Sequence, residues 1–444
     1  MTSFFKRKQL LPAIWKYRIM QLKIQKEHYG KLTLIGISLL VWLLITVLFK
    51  TYGYERTWEL WKVPTEMPPF VDFRLISGSA DSFLHGFEPT IKNPYDPRQR
   101  IFNYPTFWRL FFYVHMTEAE IILTAISMIL LFFVGAFLFP HRISVPGAIS
   151  MLGVLFSPAA MLLYERGNVD LVVFFVCVMI VIVAGFSANL AALLILFGAV
   201  IKMFPFFGIS ILLKEPKTKF WILFASSFVA LLIYMVVTWR SIKASWDFTM
   251  RGDKFSYGTN VFFTRYGSQI STGLSRWLAL PQVDLLFKYG PLAIGFLLLG
   301  VVAFFAVLNT DLLPVVSERN FAAFRMGASI YVGTFLLGNN WDYRLTFLVL
   351  VIPQLIEWLN SSYRMHRYWA RTGMFFIFFS CWHLWITTVP LGTVFHFIAD
   401  SQNFWFVVDE IVNWSLFLCL AYLLFASTPD WLKNPMRNLL PVRL

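Results

Sequence analysis

An aspartate and an arginine two residues apart, in Phe70-Val71-Asp72-Phe73-Arg74, are the first side chains in this sequence placed to do chemistry. A carboxylate can take the proton of an attacking hydroxyl. A guanidinium can hold a carboxylate or phosphate through two parallel hydrogen bonds. The same polar stretch runs on through Asn93-Pro94-Tyr95-Asp96 to Phe102-Asn103-Tyr104-Pro105. Each group also has a plainer role open to it. Asp72 can serve as a helix N-cap, Arg74 can face solvent or lipid headgroups, and the Asn-Pro and Tyr-Pro pairs are turn chemistry.

Three further clusters share this character. Glu165-Arg166-Gly167-Asn168-Val169-Asp170 is wedged between two apolar runs, where a turn needs only Gly-Asn. Asn339-Asn340-Trp341-Asp342-Tyr343-Arg344 is a second short hairpin, readable as an interfacial aromatic belt with an Asp–Arg pair or as part of a site. Lys202-Met203-Phe204-Pro205 interrupts a third apolar run. A lysine there is tolerated only beside protein or water.

The elements that must position these groups are membrane helices. The 444 residues are 58% hydrophobic with mean hydropathy +0.65, beyond the roughly 45–50% of soluble domains. Runs of about 17–25 apolar residues recur. They fall near 33–49, 119–139, 147–164, 169–187, 219–238, 284–308, 321–338, 345–360, 372–390 and 405–426, so the expected fold is an all-α polytopic transmembrane bundle of about ten spans. The net charge of +14 is concentrated in Lys6, Arg7, Lys8, Lys16, Arg18, Lys23, Lys26 and Lys31. That placement is a positive-inside signal setting a cytoplasmic N-terminus, and it argues against nucleic acid as partner. Residues 10–26 suit a helix lying on the membrane surface.

The run 190–213 decides the topology. As a full crossing it puts Lys214, Lys217, Lys219, Arg364, Arg367 and Arg371 outside. As two half-helices that enter and return, with Lys202 at the apex, it leaves every basic loop inside and every polar cluster outside. The re-entrant form fits the charge bias better, and a plain crossing stays open. The organisation expected is a basic N-terminus (1–32), a catalytic core (33–360) with outer loop 50–118, C-terminal helices (361–426) and a tail (427–444).

Several chemistries lack their marks: no Walker loop, GxGxxG, HExxH or GxSxG occurs, and no DxD. Cys177, Cys381 and Cys419 lie inside apolar runs without metal or disulfide spacing. His85, His383 and His396 read as packing or interfacial residues. No metal or other cofactor is expected.

Taken together, these motifs resemble the GT-C superfamily of integral-membrane glycosyltransferases, most closely glycosyltransferase family 87, whose members use polyprenol-phosphate-mannose. The resemblance rests on Asp72-Phe73 after the first span, Gly86, Asn93-Pro94-Tyr95, Phe102-Asn103-Tyr104-Pro105, Arg166-Gly167-Asn168-Val169-Asp170, Lys202-Met203-Phe204-Pro205 and Asp342-Tyr343-Arg344. It covers most of residues 30–360. It implies a GT-C-type core that transfers one sugar, mannose favoured, from a polyprenyl-phosphate donor to a lipid or glycan acceptor at the extracytoplasmic face of a plasma membrane, as in bacteria. Asp72 would be the base of an inverting single displacement. Arg166, Lys202 and Arg344 would meet the lipid phosphate, and Asn103, Asn168, Asp170 or Asp342 the sugar hydroxyls. Arg74, Tyr95 and Tyr104 complete the candidate substrate contacts. A transporter or lipid flippase is the competing reading, since such folds also use broken helices and membrane-edge charges.

Overall fold

The computed structural model describes residues 29–249, 252–278, 283–309, 315–388 and 401–438. The surface helix expected at 10–26 and His396 lie outside these residues.

The chain begins with α1 (Tyr29–Tyr52), a short α2 (Tyr54–Glu59) and α3 (Val71–Leu84). After a loop and a 3-10 turn at Thr106–Tyr113 comes α4 (Glu118–Leu138). Thr117 and Glu120 form a capping box there, each satisfying the other's backbone N–H. Next are α5 (Val145–Leu155), α6 (Pro158–Arg166), α7 (Asp170–Val183) and α8 (Ala188–Ile201). A 3-10 segment, Phe204–Lys214, leads to α9 (Lys217–Val237), α10 (Trp239–Phe248), α11 (Val261–Leu278), α12 (Val283–Asn309) and α13 (Glu318–Leu336). A second 3-10 segment, Asp342–Leu350, precedes α14 (Ile352–Leu359), α15 (Arg364–Ile386), α16 (Ser401–Ala426) and α17 (Asp430–Asn438). The strands described are two residues each, Ser256–Tyr257 paired antiparallel with Asn340–Trp341.

This is an all-α integral membrane protein. By length and composition, Tyr29–Tyr52, Glu118–Leu138, Lys217–Val237, Tyr289–Leu308 and Asn403–Ala426 can each cross a bilayer. The pair α5–α6, bent by 53°, makes a sixth candidate. The difference from ten spans has local causes. α7 has 14 residues, short of the roughly 20 a crossing needs. α13 carries Glu318, Arg319 and Arg325. The run 345–360 divides where Pro353 opens α14. The run 147–164 divides at Ser157, whose hydroxyl caps α6.

α13 is buried along almost its whole length and forms the axis of the bundle, against Phe204–Lys214, Asp342–Leu350, α7 and α16. Outward faces of α1 (Leu39, Leu40, Leu43) and α9 (Ile222, Val229, Ile233, Val236) stay exposed and apolar, as surfaces that meet lipid tails should.

The segment 190–213 doubles back on itself. α8 stops at Lys202, whose extended backbone turns the chain into Phe204–Lys214, and Lys214 at the far end donates to the carbonyl of Ala184 just before α8. Start and finish therefore lie side by side, with Lys202 at the turn. Towards the same end of the bundle Ser210 meets Arg325 and Ser329 on α13, and Arg325 and Lys433 donate to the carbonyls of Ser427 and Ala426 where α16 finishes.

Candidate functional site

Asp72 is not the cap of α3. The N-cap is Phe70, in the left-handed region at φ 63°, and Asp72 stands in the first turn with its side chain 19% exposed. What fixes this turn is Gly167, which ends α6 at φ 56°. A Cβ on Gly167 would lie 2.8 Å from Cβ of Phe70. Glycine thus meets the helix end and lets the two polar turns touch. Asn168 follows directly, and its Nδ2 donates to Asp72 Oδ2 at 2.7 Å.

From Asn168 a continuous polar chain extends across the molecule. Its Oδ1 accepts from Lys202 Nζ at 3.2 Å and from the backbone N–H of Asp170 at 3.0 Å. Lys202 Nζ lies 2.5 Å from Asp170 Oδ1, and Arg344 Nε donates to Asp170 Oδ2 at 3.3 Å. Hydroxyls of Tyr104 and Tyr343 approach Asn168 Nδ2 at 3.5 and 3.3 Å, and Lys202 lies over both rings. Asp170 is fully buried, whereas Lys202 and Arg344 keep 12% and 18% of their side chains exposed. The carboxylate is thus the buried anchor and the cations stay partly exposed.

The other side of Asp72 is held by Arg100, absent from the residues singled out in sequence. Its Nη1 donates to Asp72 Oδ1 at 3.2 Å, and Nη2 and Nε donate to the buried Asp96 at 2.9 and 3.1 Å. Asp96 also accepts from the backbone N–H groups of Arg98 and Arg100. The loop carrying them is laid on α3 at Gly78, where a Cβ would meet the Tyr95 carbonyl at 2.7 Å, and Asn93 is tied to Ser79 and Ser82. Burial pushes the Tyr104 hydroxyl well above its ordinary pKa, and the nearby Asp72 adds to this. It is thus a hydrogen-bonding phenol, not a base.

Arg166 belongs to a neighbouring knot, 2.8 Å from Glu165 and 3.2 Å from Glu66, which also meets Arg98. Counted together, Arg98, Arg100, Arg166, Lys202 and Arg344 face Asp72, Asp96, Asp170, Glu66 and Glu165. Five cations meet five carboxylates, so these ion pairs leave no surplus of positive charge.

Four expected residues stand apart from this network. Arg74 is buried and held by both oxygens of Glu118 and by the carbonyl of Pro69. Tyr95 is 45% exposed and stacks on His85. Asn103 donates to the carbonyl of Phe248, at 3.5 Å. Asp342 is buried beside His383, in a different cluster. A cavity of about 290 Å³ lined by Ser187, Lys214, Glu215 and Lys219 lies at the opposite end of the bundle. Among the described residues no group of three or more His, Cys, Asp or Glu side chains could hold a metal ion.

Comparison with known proteins finds no matching family, curated protein or solved structure.

Proposed function

We propose that this protein is a membrane glycosyltransferase that moves one sugar, mannose favoured, from a polyprenyl-phosphate donor to a lipid or glycan acceptor. The observation that supports it most is the single network that joins Asp72, through Asn168, to Lys202, Asp170 and Arg344. A base and a candidate phosphate-binding cation, Lys202, within hydrogen-bond reach of one bridging amide, with Arg344 joined to them through Asp170, suit an inverting displacement.

The acceptor hydroxyl would approach Asp72, whose carboxylate offers about four acceptor positions, two of them taken by Arg100 and Asn168. As the hydroxyl oxygen attacks the anomeric carbon, its proton passes to Asp72 and the bond to the donor phosphate breaks. The phosphate leaves carrying the electron pair. Lys202 and Arg344 would stabilise that developing charge, in a site where fixed donors act at low dielectric. Asn168 and Asp170 occupy two of the three donor positions of Lys202. A phosphate therefore joins an existing ion cluster instead of filling an empty cationic hole. One displacement inverts the anomeric centre, giving an α-linked product from a β-linked lipid donor.

The basic N-terminal segment and Lys214, Lys217 and Lys219 would face the cytoplasm by the positive-inside rule, which would put Asp72 on the extracytoplasmic side. The test is transfer of radiolabelled mannose from polyprenyl-phosphate-mannose by the purified protein in lipid nanodiscs. Label in a new lipid or glycan product supports the proposal. Label that stays on the donor with every acceptor class, or movement of the lipid between leaflets without transfer, would reject it in favour of transport.

A further inference from the structure

His383 on α15 sits among acids from two other elements. Its Nε2 stands 3.3 Å from Asp342 Oδ2, at the start of the Asp342–Leu350 segment, and its Nδ1 is 4.0 Å from Asp409 Oδ1 on α16. Glu410 follows Asp409, and neither of its carboxyl oxygens has a hydrogen-bond partner. All four residues are more than nine-tenths buried. Among the described residues, Tyr257 from the short strand, Tyr331 from α13 and Cys381 from α15 are other titratable groups facing them.

The hydrogen bonding restricts where protons can be. His383 Nδ1 is 2.8 Å from the carbonyl oxygen of Ser380. A carbonyl can only accept, so Nδ1 carries a hydrogen. A neutral imidazole would then turn its Nε2 lone pair towards a carboxylate 3.3 Å away, in a site where charge is poorly screened. Neither Nε2 nor either oxygen of Asp342 has a hydrogen-bond partner to relieve that repulsion. One proton placed between them does so, on nitrogen or on oxygen.

We propose that Asp342 and His383 share one proton, and that this pair is a positioning device for the Asp72 site. Asp342 is pinned at its backbone by a bond to the carbonyl of Phe255, and the next two residues, Tyr343 and Arg344, meet Asn168 and Asp170. Loss of the shared proton leaves the Asp342 carboxylate as an uncompensated charge buried beside the carboxyls of Asp409 and Glu410. That charge displaces the start of the segment and lifts Arg344 from Asp170. The positioning role rests on the proposed function of that site; the shared proton does not.

The experiment has two arms, both on the full chain in lipid nanodiscs. Nitrogen-15 histidine NMR, with the His383 signal assigned by replacing the other six of the seven histidines, reads the proton directly. A hydrogen on Nδ1 and a hydrogen-bonded Nε2 through neutral pH are expected, with one titration on the alkaline side. A bare Nδ1, or an Nε2 lone pair with no bond, overturns the shared proton whatever the protein catalyses. The second arm compares Asp342→Asn with the parent in sugar transfer across pH. The amide can donate to Nε2 but holds no titrating proton, so the fall in activity at alkaline pH should vanish. Superimposable pH profiles of parent and variant overturn the positioning role. A parent that transfers no sugar removes the proposed function and this role with it, and leaves the NMR result standing.

Discussion

Asn168 is the residue on which the site turns, because it hydrogen-bonds both Asp72 and Lys202. Asn168→Asp would set a second carboxylate against Asp72. Transfer should fall at least 100-fold, and a variant with more than a tenth of parental turnover would show that the bridge is dispensable. Lys202→Met should weaken donor binding about 10- to 100-fold, since a hydrogen bond from a charged group is worth about 1.5–3 kcal/mol. Titration with polyprenyl phosphate checks this, and unchanged affinity removes Lys202 from the donor site. Arg100→Gln leaves the buried Asp96 without its cation, a loss of about 3–5 kcal/mol by the cost of breaking a buried pair. A lowered midpoint of thermal unfolding is the readout. The sequence announced Asp72, Asn168, Asp170 and Lys202 because charges beside apolar runs are costly and need a reason. It did not announce Arg100, which reads as one more basic residue in the exposed turn Arg98-Gln99-Arg100 until the loop folds onto α3. Arg74 misleads for the converse reason: its partner Glu118 is 44 residues away and invisible to local spacing.

At the scale of elements, the site is built where helix ends meet. α3 begins, α6 ends and α7 begins within one group of contacts, and Gly167 is the hinge that permits it. Gly167→Ala meets both a left-handed φ and a 2.8 Å approach to Phe70. It should cost about 1–3 kcal/mol and separate Asn168 from Asp72. Lowered thermal stability together with lost transfer is expected, and parental values for both would contradict this account of the turn. Apolar runs made the helices legible and Pro205 made the interruption at Lys202 legible, while the break at Pro353 inside the run 345–360 went unread. The number of crossings was less legible, because α7 and α13 are largely buried against protein, and a hydropathy run looks the same in protein or in lipid.

For the whole molecule, the hairpin at Lys202 returns the chain beside its own start, so the two ends of the segment 190–213 lie at one end of the bundle. Native Cys177, Cys381 and Cys419 are buried, so single cysteines introduced at Phe186 and Lys217 can report topology with an impermeant thiol reagent. Both should label from the same side of sealed vesicles, and a cysteine at Tyr95 from the other. Labelling of Phe186→Cys and Lys217→Cys from opposite sides would contradict the doubled-back segment. The charge count had already favoured this topology, although it could not show Lys214 bonded beside the start of α8.

The central claim, that Asp72 is a base and not a structural group, is tested most directly by Asp72→Asn. Asparagine keeps the size of the side chain and an oxygen acceptor, but it cannot take a proton at neutral pH. Transfer of mannose from polyprenyl-phosphate-mannose should fall by about 10²–10⁴-fold, the usual contribution of general base catalysis, while the affinity for donor stays within a few-fold of the parent. Near-parental turnover in that variant would contradict the account.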